Sequence, residues 1–242
     1  DETHKVSFGM PGFVDNENHI FKYGTNMKFS IDFKKLGFAK EKKIYLENDG
    51  NLAAYSEYLS HFKNEYKNLI MLTFGTGVGG GIIYNSEIFK GSGNAGEIGR
   101  ILINEKSYLE DVISAKAWTK KCQELYEINK ETKLSNIFYE EKVGSLLFDR
   151  SIDLEDYEKY ARDEIIQNTS NALISLFELF DNDIFVIGGS MTKSPYDFLQ
   201  LLDEYISKNF EFPHRNFPKI KLSKAREDSG MLGAALLALN SE

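Results

Sequence analysis

A single cysteine, Cys122, in 242 residues leaves no partner for an internal disulfide and no multi-cysteine cage for zinc. It lies in a helical pattern and reads as an inert packing residue. The four histidines, His4, His19, His61 and His214, show no metal-ligand spacing. No apolar run is long enough to span a membrane, and the opening Asp1-Glu2-Thr3-His4-Lys5 is not a signal peptide. Positive charge is scarce: 29 Lys and Arg face 37 Asp and Glu, for a formal net charge of -8. Such a surface repels phosphate backbones, which argues against nucleic acid as a partner of this segment. Internal repeats, low-complexity tracts and an evident interdomain linker are missing too. A soluble, reducing, cytoplasmic setting fits these absences, and a hydrophobic share of 42% is enough to fill a core.

One absence is local. Lys5 to Gly12 reads as a strand running into a Pro-Gly turn, with no strand before it to pair with. It pairs either with a distant segment or with a piece that precedes residue 1.

Glycine, by contrast, is concentrated. Nine glycines fall between Gly75 and Gly99, where they can bury almost nothing and lose backbone entropy on folding. That density suits a backbone that something must approach closely, and phosphate is the usual reason. Gly75-Thr76-Gly77-Val78-Gly79-Gly80 meets the loose dinucleotide spacing, but such a turn must open a helix, and here Gly81-Ile82-Ile83-Tyr84 is a strand. A P-loop is ruled out because no Gly-Lys-Ser/Thr follows. What remains is a strand-turn-strand hairpin rich in backbone N–H groups, with one hydroxyl, Thr76. A plain hairpin needs only two glycines, which favours phosphate binding.

Upstream, Glu47-Asn48-Asp49-Gly50 closes one strand and opens a helix. Ligands bind at the carboxyl ends of strands in open α/β sheets, yet Asn-Asp-Gly is also a good turn or cap. Asp49 gains weight only from the glycine hairpin downstream. Gly188-Gly189 after an apolar strand is either a strand exit or a place where a ring or phosphate lies on backbone. Glu97, Arg100 and Glu110 read equally as surface charges, although Glu97 between Gly96 and Gly99 needs a reason.

The remaining pattern alternates strands and helices, which predicts α/β layering. Strands are expected at 43–47, 68–74, 79–84, 88–89, 183–187 and 219–222. Helices are expected at 51–62, at 107–126 with Ser107 as N-cap and Glu110 completing a capping box, at 154–180, 195–210 and 230–239. Residues 129–153 read as loops and short helices.

The motifs taken together resemble the ROK family of sugar kinases and sugar-responsive repressors. They are Pro11-Gly12-Phe13-Val14-Asp15; Glu47-Asn48-Asp49-Gly50-Asn51 with Ala53-Ala54 and Glu57; Thr73 to Ile83; Gly91; Ala95-Gly96-Glu97-Ile98-Gly99; Leu109-Glu110 with Ser114; Val186 to Gly189; and Gly230 to Ala235. They run in family order over nearly the whole chain. The resemblance implies the two-lobed actin-like ATPase fold, ribonuclease H-like, with part of the first lobe missing. Residues 1–48 would be the remnant of the N-terminal lobe with helix 230–242 packing back on it, and 49–229 the large C-terminal lobe. It implies ATP with Mg2+, a sugar partner and a homodimer. Asp49 would be the general base at a hexose hydroxyl, usually the 6-hydroxyl. Gly12, Asn48, Glu97 and Glu110 would contact the sugar, Gly75, Thr76 and Gly77 the phosphates, and Gly188 and Gly189 the nucleotide.

Three departures shape the expectation. Most members carry His where this chain has Arg100, followed by a cysteine-rich zinc loop. Here that stretch is short and has no cysteine, so no zinc is expected, and Arg100 is expected to bridge Glu97 and Glu110 or to donate to a sugar oxygen. Some N-acetylmannosamine kinases of the family also lack the zinc loop, which turns the substrate expectation toward N-acylhexosamines. The family's Asp-x-Gly-Gly-Thr phosphate turn is not in the sequence, and a missing upstream segment is expected. No DNA-binding helix-turn-helix is visible. The leading expectation is an ATP-dependent hexose or N-acylhexosamine kinase. The alternative is a sugar-binding transcriptional regulator without turnover.

Overall fold

The computed structural model describes residues 4–24, 27–37, 42–189, 197–224 and 228–241. The chain forms two compact units. One comprises Asp1–Met71, Gly80–Glu97 and Ser223–Glu242, and the other Leu72–Gly79 and Ile98–Leu222.

In the first unit, β1 (Lys5–Met10) runs parallel to β5 (Lys43–Asn48), in a register that sets Lys5 beside Lys43 and Met10 beside Asn48. The distant-segment partner expected for this strand is therefore β5. Between them, β2 (Phe13–Asp15), β3 (Ile20–Tyr23) and β4 (Ile31–Asp32) form a small antiparallel sheet. Its inner face joins the core: Met10, Val14, Phe21, Phe33, Ile44 and Leu46 bury together. Helix α1 (Asp49–Glu57) follows β5 and ends in a π-helical turn, Tyr58–Phe62. Helix α7 (Ser229–Asn240) packs on α1 and β1. Gly233 makes that packing close, since a Cβ there would overlap the Leu52 carbonyl.

A five-stranded sheet has the order β10-β9-β6-β7-β8, with β6 (Leu69–Phe74), β7 (Val78–Tyr84), β8 (Glu87–Ile88), β9 (Ile184–Gly189) and β10 (Lys219–Leu222). Strands β9 and β10 are parallel, and β7 and β8 form a hairpin. The apolar runs of β6 and β9 are almost wholly buried, as fits strands covered on both faces.

The second unit also holds α2 (Glu110–Ile113), α3 (Ala115–Ile128), α4 (Lys133–Glu141), α5 (Asp156–Phe180) and α6 (Phe198–Asn209). Phe74, Trp118, Phe148 and Phe198 meet there with ring centroids 4.7–5.9 Å apart, a geometry that adds to burial. Cys122 is buried in this unit and its thiol lies 3.6 Å from the Gly144 carbonyl, in keeping with a packing residue.

One helix start is corrected. Ser107 does not cap a helix, because residues 101–109 fold back as a hairpin. Leu102 bridges Tyr108, the Ile103 N–H donates to Ser107 O at 3.1 Å, and the Leu109 N–H donates to Ile101 O at 2.8 Å. The cap is Ser114, whose Oγ accepts the Ala117 N–H at 3.1 Å and opens α3. The expected helix therefore begins at Glu110 and breaks once. Residues 129–153 contain α4 and a fully buried 3-10 turn, Gly144–Phe148. The expected start of a helix at Pro195 lies outside the described residues. No helix among the described residues is long and apolar enough to cross a membrane.

Candidate active site

The first unit builds a polar corner at the end of β5. Asn48, with φ −65° and ψ 141°, leaves the strand in an extended conformation. Its Oδ1 accepts the N–H groups of Gly50 at 2.8 Å and Asn51 at 3.2 Å, and so caps α1. Its Nδ2 donates to the Gly12 carbonyl at 3.1 Å. Gly12 itself has φ +141°, and a side chain there would overlap the Tyr23 carbonyl and the Gly24 Cα, which is why the turn after Pro11 needs glycine. Gly12, Asn48 and Asp49 are thus brought together.

Asp49 is the first residue of α1. It is exposed, and among the described residues no cation pairs with it. Although the residue is open to solvent, the chain packed around its carboxyl strips part of its hydration and raises the pKa above the ordinary 3.8, against smaller opposition from the Gly50 N–H, which donates to Oδ1 at 3.0 Å, and from its own N–H. A neighbouring acid has the opposite setting. Glu47 has a fully buried carboxylate. Oε1 accepts from the Asn48 N–H at 2.9 Å and Asn51 Nδ2 at 3.0 Å, while Oε2 accepts from Asn16 Nδ2 at 2.9 Å and pairs with Lys90 Nζ at 2.8 Å. A buried carboxylate persists only when it is paired and hydrogen-bonded in this way.

Glu97 ends the glycine segment that follows β8. The residue before it, Gly96, lies against Asn51 Oδ1 and Gly81, which sets this segment over the start of α1. Asn94 Oδ1 accepts the Val14 N–H at 3.1 Å and ties the same segment to β2.

The second unit gathers the other candidates. The Gly75–Gly77 turn closes by an N–H bond from Gly75 to Gly77 O at 3.0 Å, and Lys116 N–H donates to Gly75 O at 3.2 Å. Gly75 opens on empty space and Thr76 is exposed. Gly189, with φ +85°, lies so close to the Phe74 main chain that any side chain would collide with it. The end of β9 is thereby brought beside the start of the turn. Glu110, at the start of α2, lies against Gly77, where a Cβ would overlap Oε2, and the Val78 N–H approaches Oε2 at 3.4 Å. Arg100 comes within 4.0 Å of Glu110 Oε1 and stacks on Tyr108, 4.1 Å from guanidinium carbon to ring centroid. Arg100 and Glu110 thus form a long, half-exposed pair, which is one arm of the bridge expected to both Glu97 and Glu110.

What the arrangement offers chemically is an accessible carboxylate at a helix start with amide and carboxylate groups around it, and separately an open glycine turn flanked by a carboxylate and a guanidinium. Among the described residues no group of three or more His, Cys, Asp or Glu side chains forms a ligand set for a metal. Sequence reasoning gave no role to Lys90, Asn16, Asn94 or Tyr108. The one signal available was a charged residue, Lys90, directly before a glycine-rich run.

The pattern of the ROK family matches residues 1–241. A glucokinase of Thermotoga maritima is 25% identical over 257 residues, 97% of this chain and 79% of that protein. An N-acetyl-D-glucosamine kinase of Mannheimia succiniciproducens is 27% identical over 250 residues, covering 97% of this chain and 80% of its own. Among solved structures, a ROK family glucokinase from Streptomyces griseus in complex with glucose and AMPPNP superposes with a TM-score of 0.79 at 20% identity, over 96% of this chain and 80% of that one. The likeness of the coordinates is one of fold.

Proposed function

The chain belongs to the ROK family and has its actin-like ATPase fold, and we propose that it transfers the γ-phosphoryl group of ATP to a hexose or N-acylhexosamine, at the 6-hydroxyl, with Asp49 as general base. The observation that carries this reading is the contrast between Asp49 and Glu47. Of the two acids at the end of β5, Glu47 is saturated by four donors, and only Asp49 is open and free of a counter-ion among the described residues. A raised carboxyl pKa favours proton acceptance from a hydroxyl.

In this reading the Asp49 carboxylate takes the hydroxyl proton as the sugar oxygen attacks the phosphorus in line, and ADP leaves. A placed base contributes about 10²–10⁴-fold, and positioning and electrostatics supply most of the remainder. Asn48, Glu97, Glu110 and the Gly12 backbone hold sugar hydroxyls, since a carboxylate accepts from a hydroxyl while an amide can both donate and accept. Arg100 orients Glu110 from its stack on Tyr108. The open side of the Gly75–Gly77 turn and the Thr76 hydroxyl receive phosphate oxygens, and Gly188 and Gly189 the nucleotide. A magnesium ion bound with the nucleotide would supply charge neutralisation at the phosphates, which the Gly75–Gly77 turn and Thr76 would hold.

The test is a coupled ADP-release assay on the full-length protein with glucose, N-acetylglucosamine and N-acetylmannosamine, beside calorimetric sugar binding. Asp49→Asn is expected to keep sugar affinity and lose at least ~10²-fold in kcat. Equal turnover in both proteins refutes the assigned base. Sugar binding without turnover in the wild type supports the regulator instead.

A further inference from the structure

The four donors on Glu47 come from four separate segments: Asn16 between β2 and β3, the Asn48 main chain at the end of β5, Asn51 in α1, and Lys90 after β8. Lys90 is the one cation among them, and it stands immediately before the glycine segment. That segment is open and rich in glycine. Gly91, Gly93 and Gly96 all have positive φ, and none of residues 91–96 is buried. Its fastenings include polar ones, in which the Lys90 carbonyl accepts the N–H groups of Gly93 at 2.8 Å and Ala95 at 3.0 Å and Asn94 holds Val14, beside the approach of Gly96 to Asn51 and Gly81. Glu97 is the next residue.

We propose that Lys90 is a positioning residue, whose ion pair with Glu47 fixes the glycine segment and hence Glu97 relative to the Asn48–Asp49 corner. The pair gives both halves of the sugar site in this unit a common reference. Glu47 already orders the Asn48 main chain and Asn51, and through Lys90 the same carboxylate orders the loop. This role for Lys90 rests on the functional reading above, because that reading gives Asp49 and Glu97 their tasks. The pair is suited to the work: the half-exposed Lys90 brings a cation to a fully buried carboxylate, a buried charge tolerates loss of its counter-ion poorly, and a glycine run left to itself samples many conformations.

Three variants of the full-length protein test it: Lys90→Met removes the charge, Lys90→Gln keeps a neutral donor, and Lys90→Arg keeps the charge. Hydrogen exchange is followed at the amides of Gly91–Glu97, with KM measured for sugar and for ATP, and with calorimetry on glucose, N-acetylglucosamine and N-acetylmannosamine. In Lys90→Met, exchange across this segment is expected to speed up about tenfold or more, and sugar affinity to fall by a similar factor, while the KM for ATP stays within about twofold. Lys90→Arg is expected to restore both properties to within about threefold of wild type. Native-like exchange and sugar affinity in Lys90→Met overturn the proposal. So does a loss that raises both KM values in proportion and is not rescued by Lys90→Arg, since that is general destabilisation. Should Lys90→Met fail to fold, Lys90→Gln carries the same two outcomes. A wild-type protein that binds none of the three sugars sinks the functional reading, and the exchange measurements then still decide whether Lys90 anchors the loop.

Discussion

Asn48 offers a sharp test of how the end of β5 is built, because its two side-chain atoms do separable jobs. Oδ1 caps α1 through Gly50 and Asn51, and Nδ2 ties the corner to Gly12 across to the β1–β2 turn. Losing an N-cap of this kind costs about 1 kcal/mol. Losing the bond to the Gly12 carbonyl costs about 1 kcal/mol more. Asn48→Ala removes both and is expected to destabilise by about 2 kcal/mol, or roughly 4–8 °C in Tm for a chain of this size. Asn48→Ser keeps a capping oxygen but cannot reach Gly12, and is expected to lose about 1 kcal/mol. Urea unfolding with an unchanged m-value reads these differences. A wild-type midpoint in Asn48→Ala would refute the dual role. Equal losses in the alanine and serine variants would show that the cap contributes nothing.

Two further outcomes follow from packing and burial. Gly233→Ala adds a good helix former to α7, a gain of about 1 kcal/mol in an open helix. Here the new Cβ meets the Leu52 carbonyl, and overpacking of about 1–3 kcal/mol is expected to win. The variant should melt lower than wild type, and a higher Tm would mean that α1 and α7 are not in close contact. Cys122 is expected to resist thiol reagents in the folded protein, because burial first, and Glu158 second, push its thiol pKa from 9.0 up to about 12. The folded state therefore holds that proton where the unfolded chain releases it. The Cys122 contribution to stability is intact below pH 9 and is lost as pH rises toward about 12, at up to about 1.4 kcal/mol per pH unit. Urea unfolding of wild type and Cys122→Ala between pH 9 and 11 reads it as a difference in slope, and parallel curves would contradict it.

Elements with a strong periodic or continuous apolar signal were legible in the sequence. Strands β6 and β10, and helix α5 with its stripe through Ile165, Ile166, Leu173 and Leu176, fall where the pattern puts them. The failures have local causes. Ser107-Tyr108-Leu109-Glu110 satisfies the spacing of a capping box, but pairing of Leu102 with Tyr108 takes Ser107 into a hairpin before a helix can use it. The cap that does form, Ser114, sits inside a run that reads as one helix. Strands β2, β3 and β4 have three, four and two residues, too few to show a period of two. The Gly144–Phe148 turn is buried over its whole length, yet five residues between polar flanks carry no periodic mark.

The site was legible as residue types and not as environments. Glu47 and Asp49 stand two positions apart, share a charge, and belong to one motif. Strand geometry would place side chains two apart on one face, but α1 begins at Asp49, and the change of backbone from strand to helix sends the two acids apart. Glu47 turns inward, and its fitness to be there depends on Lys90, a residue 43 positions downstream that no local pattern links to it. Asp49 turns outward and needs no partner. The distribution of donors separates the two acids: the one that receives four of them is held as a structural anion, and the one that receives the Gly50 N–H keeps a raised pKa and an open face. Removing Lys90 from Glu47 should loosen the corner without giving Glu47 the setting of Asp49, because the Asn48 N–H, Asn51 and Asn16 would still donate to its carboxylate.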